Sequence, residues 1–317
     1  MKTYRIPRSI GFACLLLFVF ILLLTTLINL ANQNISFFIV LSFFTLLVGL
    51  MGFTVFKTEV LHQSTTINML SVQNMIAVMI GSVLTYILHY FVGCPVLAAS
   101  IIGLLGGFFM KPFGVPIYTG AFVGMSSAAL FGIWPFLLAT TLAAIIYAIA
   151  QDIFNGFGGK LGTIALSGAI ISTVIFRGDF TSGTPFNLTE QYFIIGLSIA
   201  AAVLTYLLNI RFKLGPVIAS ALIGFIGGMI LPLLTREFAH LYAVIIIGAS
   251  FIGMSSKMRF KNVFPIAFAG VLYGLIFIYN APYFGGAGGK LGTIALTSVL
   301  SIKGFMLLKD KFSKKQC

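Results

Sequence analysis

The amino-acid sequence predicts an all-α polytopic membrane protein of about twelve transmembrane segments, built as an N-terminal hairpin followed by two inverted five-helix repeats with short, glycine-interrupted helices. Hydrophobic residues make up 59% of the 317-residue chain and charged residues only 8%. A soluble domain carries about 25% charged residues. The mean hydropathy is +1.10, and apolar stretches of membrane-spanning length recur along the chain.

The chain contains two copies of one module. Residues 158–166, with the sequence GGKLGTIAL, return unchanged as residues 288–296. An identity of this length is not a coincidence, and shorter matches precede it in the same order. They pair Leu84, Thr85 and Tyr86 with Leu204, Thr205 and Tyr206, and the string Phe122-x-Gly124-Met125-Ser126-Ser127 with Phe251-x-Gly253-Met254-Ser255-Ser256.

These matches divide the chain into three parts. Residues 1–68 form the hairpin and its linker, residues 69–180 the first repeat, and residues 181–317 the second repeat with a basic C-terminal tail. The boundary lies in the polar stretch 177–189, which is rich in Ser, Gly, Thr and Pro and is typical of a connecting loop.

Each apolar segment is predicted to be a helix. In the hairpin, residues 10–31 and 36–56 flank a short polar turn. In the first repeat the segments are 72–91, 95–110, 115–133, 134–150 and 161–176, and in the second 190–209, 216–233, 241–254, 263–279 and 291–308. Pro95 and Pro216 are expected to begin their helices, because proline suits the first helical turn.

The odd number of segments per module predicts that the second copy is inverted in the membrane. Lys and Arg mark cytoplasmic loops. With the N-terminus inside and all segments spanning, only Arg177, Arg236 and Lys290 of the 19 basic residues fall outside, which leaves 16 inside. If the motif helices were re-entrant instead, the cluster Lys257, Arg259 and Lys261 would move outside. We therefore expect a multi-pass protein of the cell membrane with both termini cytoplasmic.

The repeated motif predicts a binding site. Its glycines expose backbone amides, and the helix that follows begins at a lysine with free N–H groups and a partial positive charge. A short, glycine-interrupted helix in each half is the usual sequence sign of a transporter site, and a helix N-terminus with a lysine suits an anion. The predicted substrate-binding residues are Gly158, Gly159, Lys160, Thr163, Gly288, Gly289, Lys290, Thr293, Ser126 and Ser255. The structural alternative is that the lysines anchor helix ends and the glycines and serines serve helix packing.

Other classes of function are excluded by what the motifs lack. Leu161 and Leu291 stand where a phosphate-binding loop needs Ser or Thr, so nucleotide hydrolysis is not expected. No cluster of His, Cys or carboxylates could carry catalysis, a cofactor or a metal. The net charge of +13 reflects membrane topology, and no nucleic-acid partner is expected. Acids are scarce, and Asp152 is expected to pair with Lys160, which favours a uniporter, channel or anion carrier.

The sequence thus predicts a transporter or channel that moves a small polar or anionic solute along the interface of the repeats. Two alternatives stay open. One is a neutral-solute channel, similar in helix count to urea and ammonia channels, with structural lysines. The other is a lipid-phosphate flippase or a membrane scaffold. The expected partners are the solute and the lipid bilayer, and the unrepeated hairpin is a candidate surface for a homo-oligomer.

Overall fold

The computed structural model describes residues 4–127, 130–234 and 239–313, and within them the chain forms twelve α-helices. The hairpin contains α1 (Arg8–Gln33) and α2 (Ile35–Val55). The first repeat contains α3 (Met69–Val92), α4 (Pro95–Phe109), α5 (Gly114–Gly124), α6 (Ile133–Ala150) and α7 (Lys160–Ile175). The second contains α8 (Leu188–Ile210), α9 (Pro216–Leu234), α10 (Ala239–Gly253), α11 (Phe264–Tyr279) and α12 (Lys290–Ser313). Arg236, Lys314 and Lys315, whose sides were predicted above, lie outside the described residues.

Six of these helices are long and apolar enough to cross a membrane, namely α1, α2 with the π-helical turn that extends it to Val60, α3, α6, α8 and α12. The prediction of a mainly α-helical protein with several helices long and apolar enough to span a membrane is confirmed. Five further apolar helices, α4, α7, α9, α10 and α11, are shorter. That all twelve segments span stays a prediction.

The predicted helix 115–133 is wrong in extent, because α5 ends at Gly124. The backbone leaves the helix through a tight turn in which the Ser126 N–H donates to Val123 O (3.0 Å). The next N–H, that of Ser127, donates to Gly286 O (2.9 Å) in the second repeat. The helix stops because its next donor bonds across the molecule. Apolar residues beyond the break concealed this end in the sequence.

A small antiparallel sheet, which the sequence did not predict, lies in the N-terminal part. Strand β1 (Tyr4–Pro7) pairs with β2 (Ser64–Ile67), with Tyr4 opposite Ile67. The sheet joins the start of the chain to the segment just before α3, and β2 contacts α6. We call residues 151–159, which precede α7, the first glycine turn, and residues 281–289, which precede α12, the second. The sheet places the beginning of α1 beside the first glycine turn, where Arg8 lies near Asp152 and Phe12 packs against Phe154.

The two repeats use the same internal packing. Helix α3 packs on α5 as α8 packs on α10, and α6 packs on α7 as α11 packs on α12. Between the repeats α4 contacts α9 and α7 contacts α12, while α2 covers α12 from outside. The motif helix α7 is buried along almost its whole length, so the repeated motif lies in the interior.

Helices α7 and α12 cross at a pair of glycines. A Cβ built on Gly162 would lie 2.6 Å from the Cα of Gly292, and one built on Gly292 would lie 2.6 Å from the Cα of Gly162. Gly159 lies beside Leu296 and Gly289 beside Leu166, so the two helices run antiparallel. At 1.5 Å per residue Gly159 and Gly289, which directly precede the two helices, lie about 9 Å apart along the axis.

Candidate functional site

The two glycine turns have the same backbone conformation. Left-handed φ values occur at Phe154 (51°), Gly156 (77°) and Gly159 (90°). The matching positions in the second turn have φ values of 53° at Phe284, 81° at Gly286 and 92° at Gly289. Glycine adopts such angles without steric cost, whereas a phenylalanine rarely does. The turn conformation that both modules share is therefore held by the surrounding structure as well as by the glycines of the turn.

The repeated Ser-Ser pair of each module holds the glycine turn of the other module. Ser126 Oγ accepts a hydrogen bond from the Gly288 N–H (3.0 Å), and Ser255 Oγ accepts one from the Gly158 N–H (3.1 Å). The Ser256 N–H donates to Gly156 O (2.9 Å), as Ser127 does to Gly286. Ser126 and Ser255 thus lie at the predicted interface of the repeats, where they satisfy backbone groups.

The two motif lysines bond to the turns that precede them. Lys160 Nζ donates to Gln151 O (2.9 Å) and to Asn155 Oδ1 (2.8 Å). Lys290 Nζ donates to Asn280 O (2.8 Å) and Tyr283 O (2.5 Å). Gln151 and Asn280 directly follow α6 and α11, so each ammonium stabilises the carbonyl end of a helix. An ammonium has three donors, and these bonds use two.

Asp152 is not hydrogen-bonded to Lys160, contrary to the expected pairing. Its Oδ2 lies 3.5 Å from Arg8 Nη2 and accepts the Thr65 hydroxyl at 3.2 Å. The β1–β2 sheet brings both of these partners to the carboxylate. The sheet, which the sequence did not predict, thus places Arg8 and Thr65 at the Asp152 carboxylate.

A cavity of about 420 Å³ lies beside the second glycine turn, between the two repeats. Of the predicted site residues, Gly288, Gly289 and Lys290 line it. The first repeat adds His89, Phe122, Met125 and Ser127. The second adds His240, Val244, Phe251, Phe277, Phe284 and Leu291. The linker between the repeats, residues 177–189, adds Phe186. A mainly apolar cavity, with five phenylalanines in its wall, therefore lies at the start of α12, where Lys290 stands.

The corresponding space beside the first glycine turn is filled by charged side chains. The Arg259 guanidinium lies 4.3 Å from the centre of the Phe157 ring, and it donates to Asn155 O (2.9 Å) and to Glu59 Oε1 (2.7 Å). Lys303 Nζ donates to Arg259 O (2.9 Å), and Arg8 donates to Glu59 O (3.2 Å). We call Arg8, Glu59, Asp152 and Arg259 the charged cluster, and it seals this side.

Side-chain volume explains why the cavity lies at the second turn and not at the first. The first turn carries Gln151, Asn155 and Phe157, and the matching positions of the second turn carry Ala281, Gly285 and Ala287. All three small residues line the cavity. The nine identical residues are surrounded by differences that leave space on one side only.

The remaining predicted site residues do not line the cavity. Gly158, Gly159 and Lys160 belong to the sealed turn. The Thr163 and Thr293 hydroxyls bond back to Gly159 O (3.4 Å) and Gly289 O (3.3 Å) within their own helices. That these residues bind a solute stays a prediction.

Sequence reasoning missed the histidines and the phenylalanines of the cavity. His89 carried a usable signal, because it stands opposite Asn209 in the repeat alignment. Asn209 donates to Gly253 O (3.1 Å) at the break after α10. Phe122 and Phe251 also carried a usable signal, because each begins the repeated string that ends in two serines. Phe186 and Phe277 carried none, since Phe is abundant throughout the chain, with 33 residues.

No group of three or more His, Cys, Asp or Glu side chains that could hold a metal ion occurs among the described residues. The site therefore offers one lysine, two histidines, one serine, backbone groups and phenylalanine side chains.

A search among family models, curated proteins and solved structures finds no match to this chain.

Proposed function

We propose that this protein is a membrane transporter for a small polar or anionic solute, which it binds in the cavity between the two repeats. The observation that carries the proposal is the contrast between the two glycine turns. One opens on a cavity of about 420 Å³ lined by both repeats, and the other is sealed by the charged cluster.

The contacts between helix ends support an inverted arrangement of the repeats in the membrane. In a topology with twelve alternating segments, every member of the charged cluster lies on the cytoplasmic side. The outer side contains a second group of contacts, which join Asn29 to Tyr279, Thr181 to Gly285, Gly183 to Ala281 and Ser127 to Gly286. No contact in either group joins ends that this topology places on opposite sides.

A site between inverted repeats suits alternating access. Rocking one repeat against the other would expose the site first to one side and then to the other. The charged cluster is held by hydrogen bonds and ion pairs, which water can replace when the groups separate. The cavity then represents the outward-open state of a carrier, with its inner exit closed.

The polar side chains at the cavity favour an anion over a cation. His89, His240 and Lys290 line it, and none of its described lining residues is a carboxylate. Lys290 keeps one N–H donor beyond its two carbonyl bonds. A charged hydrogen bond is worth about 1.5–3 kcal/mol, which corresponds to about tenfold or more in affinity.

The test is uptake into liposomes that contain the purified protein. We expect Lys290→Gln to lower anion uptake about tenfold or more. Lys160→Gln is the matched variant from the sealed turn and tests whether the outer site alone binds in this state. Unchanged flux of every anion tried in Lys290→Gln contradicts the proposal.

A channel for a neutral solute is the second candidate, and the carbonyl bonds of both lysines favour it because they give each lysine a structural role. A neutral-solute channel predicts rapid flux of urea or ammonia. In both lysine variants this flux, divided by the amount of folded protein, should equal that of the original protein. Flux that saturates with concentration and is specific for anions would exclude it.

A further inference from the structure

The cavity walls restrict the solute further than its charge does. Five phenylalanines line the cavity, namely Phe122, Phe186, Phe251, Phe277 and Phe284. The rings of Phe122 and Phe251, one from each repeat, lie 4.5 Å apart between centroids, and Phe186 stacks on Phe277 at 5.9 Å. Phenylalanines from both repeats thus form part of the apolar wall beside the α12 start.

Such walls disfavour a small inorganic ion that is strongly hydrated in water. Phenylalanine offers no hydrogen bonds, so the ion would lose water without replacement, at a cost of several kcal/mol. An apolar group gains instead about 25 cal/mol for each Å² that it removes from water. The lining therefore favours a solute that carries an apolar body.

The polar side chains are few, and none of them is acidic. Lys290, His89 and His240 line the cavity together with the backbone of the glycine turn. Two of the three Lys290 donors are used by Asn280 O and Tyr283 O, which fixes the ammonium and leaves one donor. One fixed ammonium matches one anionic group on the solute.

Taken with the proposed function, on which this inference rests, we propose that the solute is an organic monoanion. Its carboxylate or sulfonate lies at Lys290, and its apolar body, a ring or a short chain, lies against the phenylalanines of the wall. A cavity of about 420 Å³ is within the range of about 300–1,000 Å³ typical for small organic ligands.

The chain supplies its own matched variant for testing this assignment. Ala287 lines the cavity, while Phe157 occupies the equivalent position of the first turn. The fold therefore accepts a phenylalanine at this place in the turn. Ala287→Phe should fill the cavity, and Ala287→Ser should leave it open.

The experiment compares benzenesulfonate, methanesulfonate, nitrate and neutral benzamide in uptake by proteoliposomes, and in thermal stabilisation of the purified protein. Sulfonates remain charged at working pH and do not leak through the bilayer. We expect benzenesulfonate to be taken up about tenfold or more faster than methanesulfonate. Ala287→Phe should abolish this preference and Ala287→Ser should keep it, whereas Lys290→Gln should weaken binding of benzenesulfonate but not of benzamide.

The outcomes separate the two proposals. Uptake of nitrate and methanesulfonate without preference for benzenesulfonate overturns the organic monoanion but leaves anion transport standing. Absence of flux for every solute overturns the transport function itself. If Ala287→Phe does not fold, Phe186→Ala decides: an unchanged ratio of benzenesulfonate to methanesulfonate uptake in that variant overturns the assignment.

Discussion

At Gly162 and Gly292 a hydrogen atom in place of a side chain sets the distance between the motif helices. Each would place a Cβ 2.6 Å from the Cα of the other, which is closer than atoms approach. The identity of the motif in both copies has a structural reason here, because a crossing of two equivalent helices makes the same demand on each. The predicted binding glycines were Gly158, Gly159, Gly288 and Gly289, and close helix packing was the alternative role for the glycines of the motif; Gly162 and Gly292 have that packing role.

We expect Gly162→Ala to lower the free energy of unfolding by about 1–3 kcal/mol, because the new methyl group meets backbone that cannot move aside. Gly196→Ala is the matched control. Gly196 lies in α8, and a Cβ there meets nothing within 4 Å, so that variant should gain up to about 1 kcal/mol. Chemical unfolding in detergent measures both, and equal shifts would contradict the close crossing.

Ser126→Ala and Ser255→Ala should each cost about 1–3 kcal/mol of stability, since each leaves a buried N–H of a glycine turn without its acceptor. The equivalence of the two bonds predicts similar losses. Ser182→Ala, in the exposed linker, is the control and should change little. A large loss at only one of the two serines would show that the turns are held differently.

Among the elements, helix starts followed from the sequence better than helix ends did. Pro95 and Pro216 begin α4 and α9 as predicted, because proline acts locally on the first turn. Gly124 ends α5 although the apolar run continues. That end depends on a hydrogen bond from Ser127 to a residue far along the chain, and local composition carries no record of such a partner.

The N-terminal elements act as a cover for the first glycine turn, and their hold can be tested with cysteine labelling. In a protein whose own cysteines are replaced by serine, Leu161→Cys should resist thiol reagents, because Leu161 is only 7% exposed. Adding Glu59→Gln removes the carboxylate that holds Arg259 at 2.7 Å, and labelling should rise. The cover would have no such role if the rate stayed the same.

Leu291→Cys is the matched control for this labelling. Leu291 is the equivalent residue of the second turn and lines the open cavity. It should react without help, and Glu59→Gln should not raise its rate. A parallel rise at both positions would indicate general loosening of the fold instead of opening of one side.

For the molecule as a whole, the sequence identity between the two copies could be found along the chain, and three of the predicted residues, Gly288, Gly289 and Lys290, line the cavity. Which of the two turns has the cavity was not predictable. Repeat boundaries follow from identity along the chain. The open side depends on three side-chain volumes, at Ala281, Gly285 and Ala287, and on the unrepeated segment that places Glu59 beside Arg259. These features differ between the two copies, and matching the copies by their identical residues does not identify them.

The membrane topology gives a prediction at this scale. In the same cysteine-free background, an impermeant maleimide should label Ser182→Cys in intact cells, because the linker between the repeats is exposed and is expected outside. Met258→Cys, at a position 92% exposed, should react only after the cells are permeabilised. Labelling of both from the same side would rule out the inverted arrangement.

The exchange of serine and glycine contacts between the modules has a consequence for the origin of the chain. Each module supplies a serine whose hydroxyl accepts a hydrogen bond from the other module's turn, and a turn whose amide donates to the other module's serine. A module made as a separate polypeptide would leave its turn amide without this acceptor, and a second copy of the same module would supply it. The reciprocal bonds are those expected if the chain arose by fusion of two copies of a module that already paired with itself.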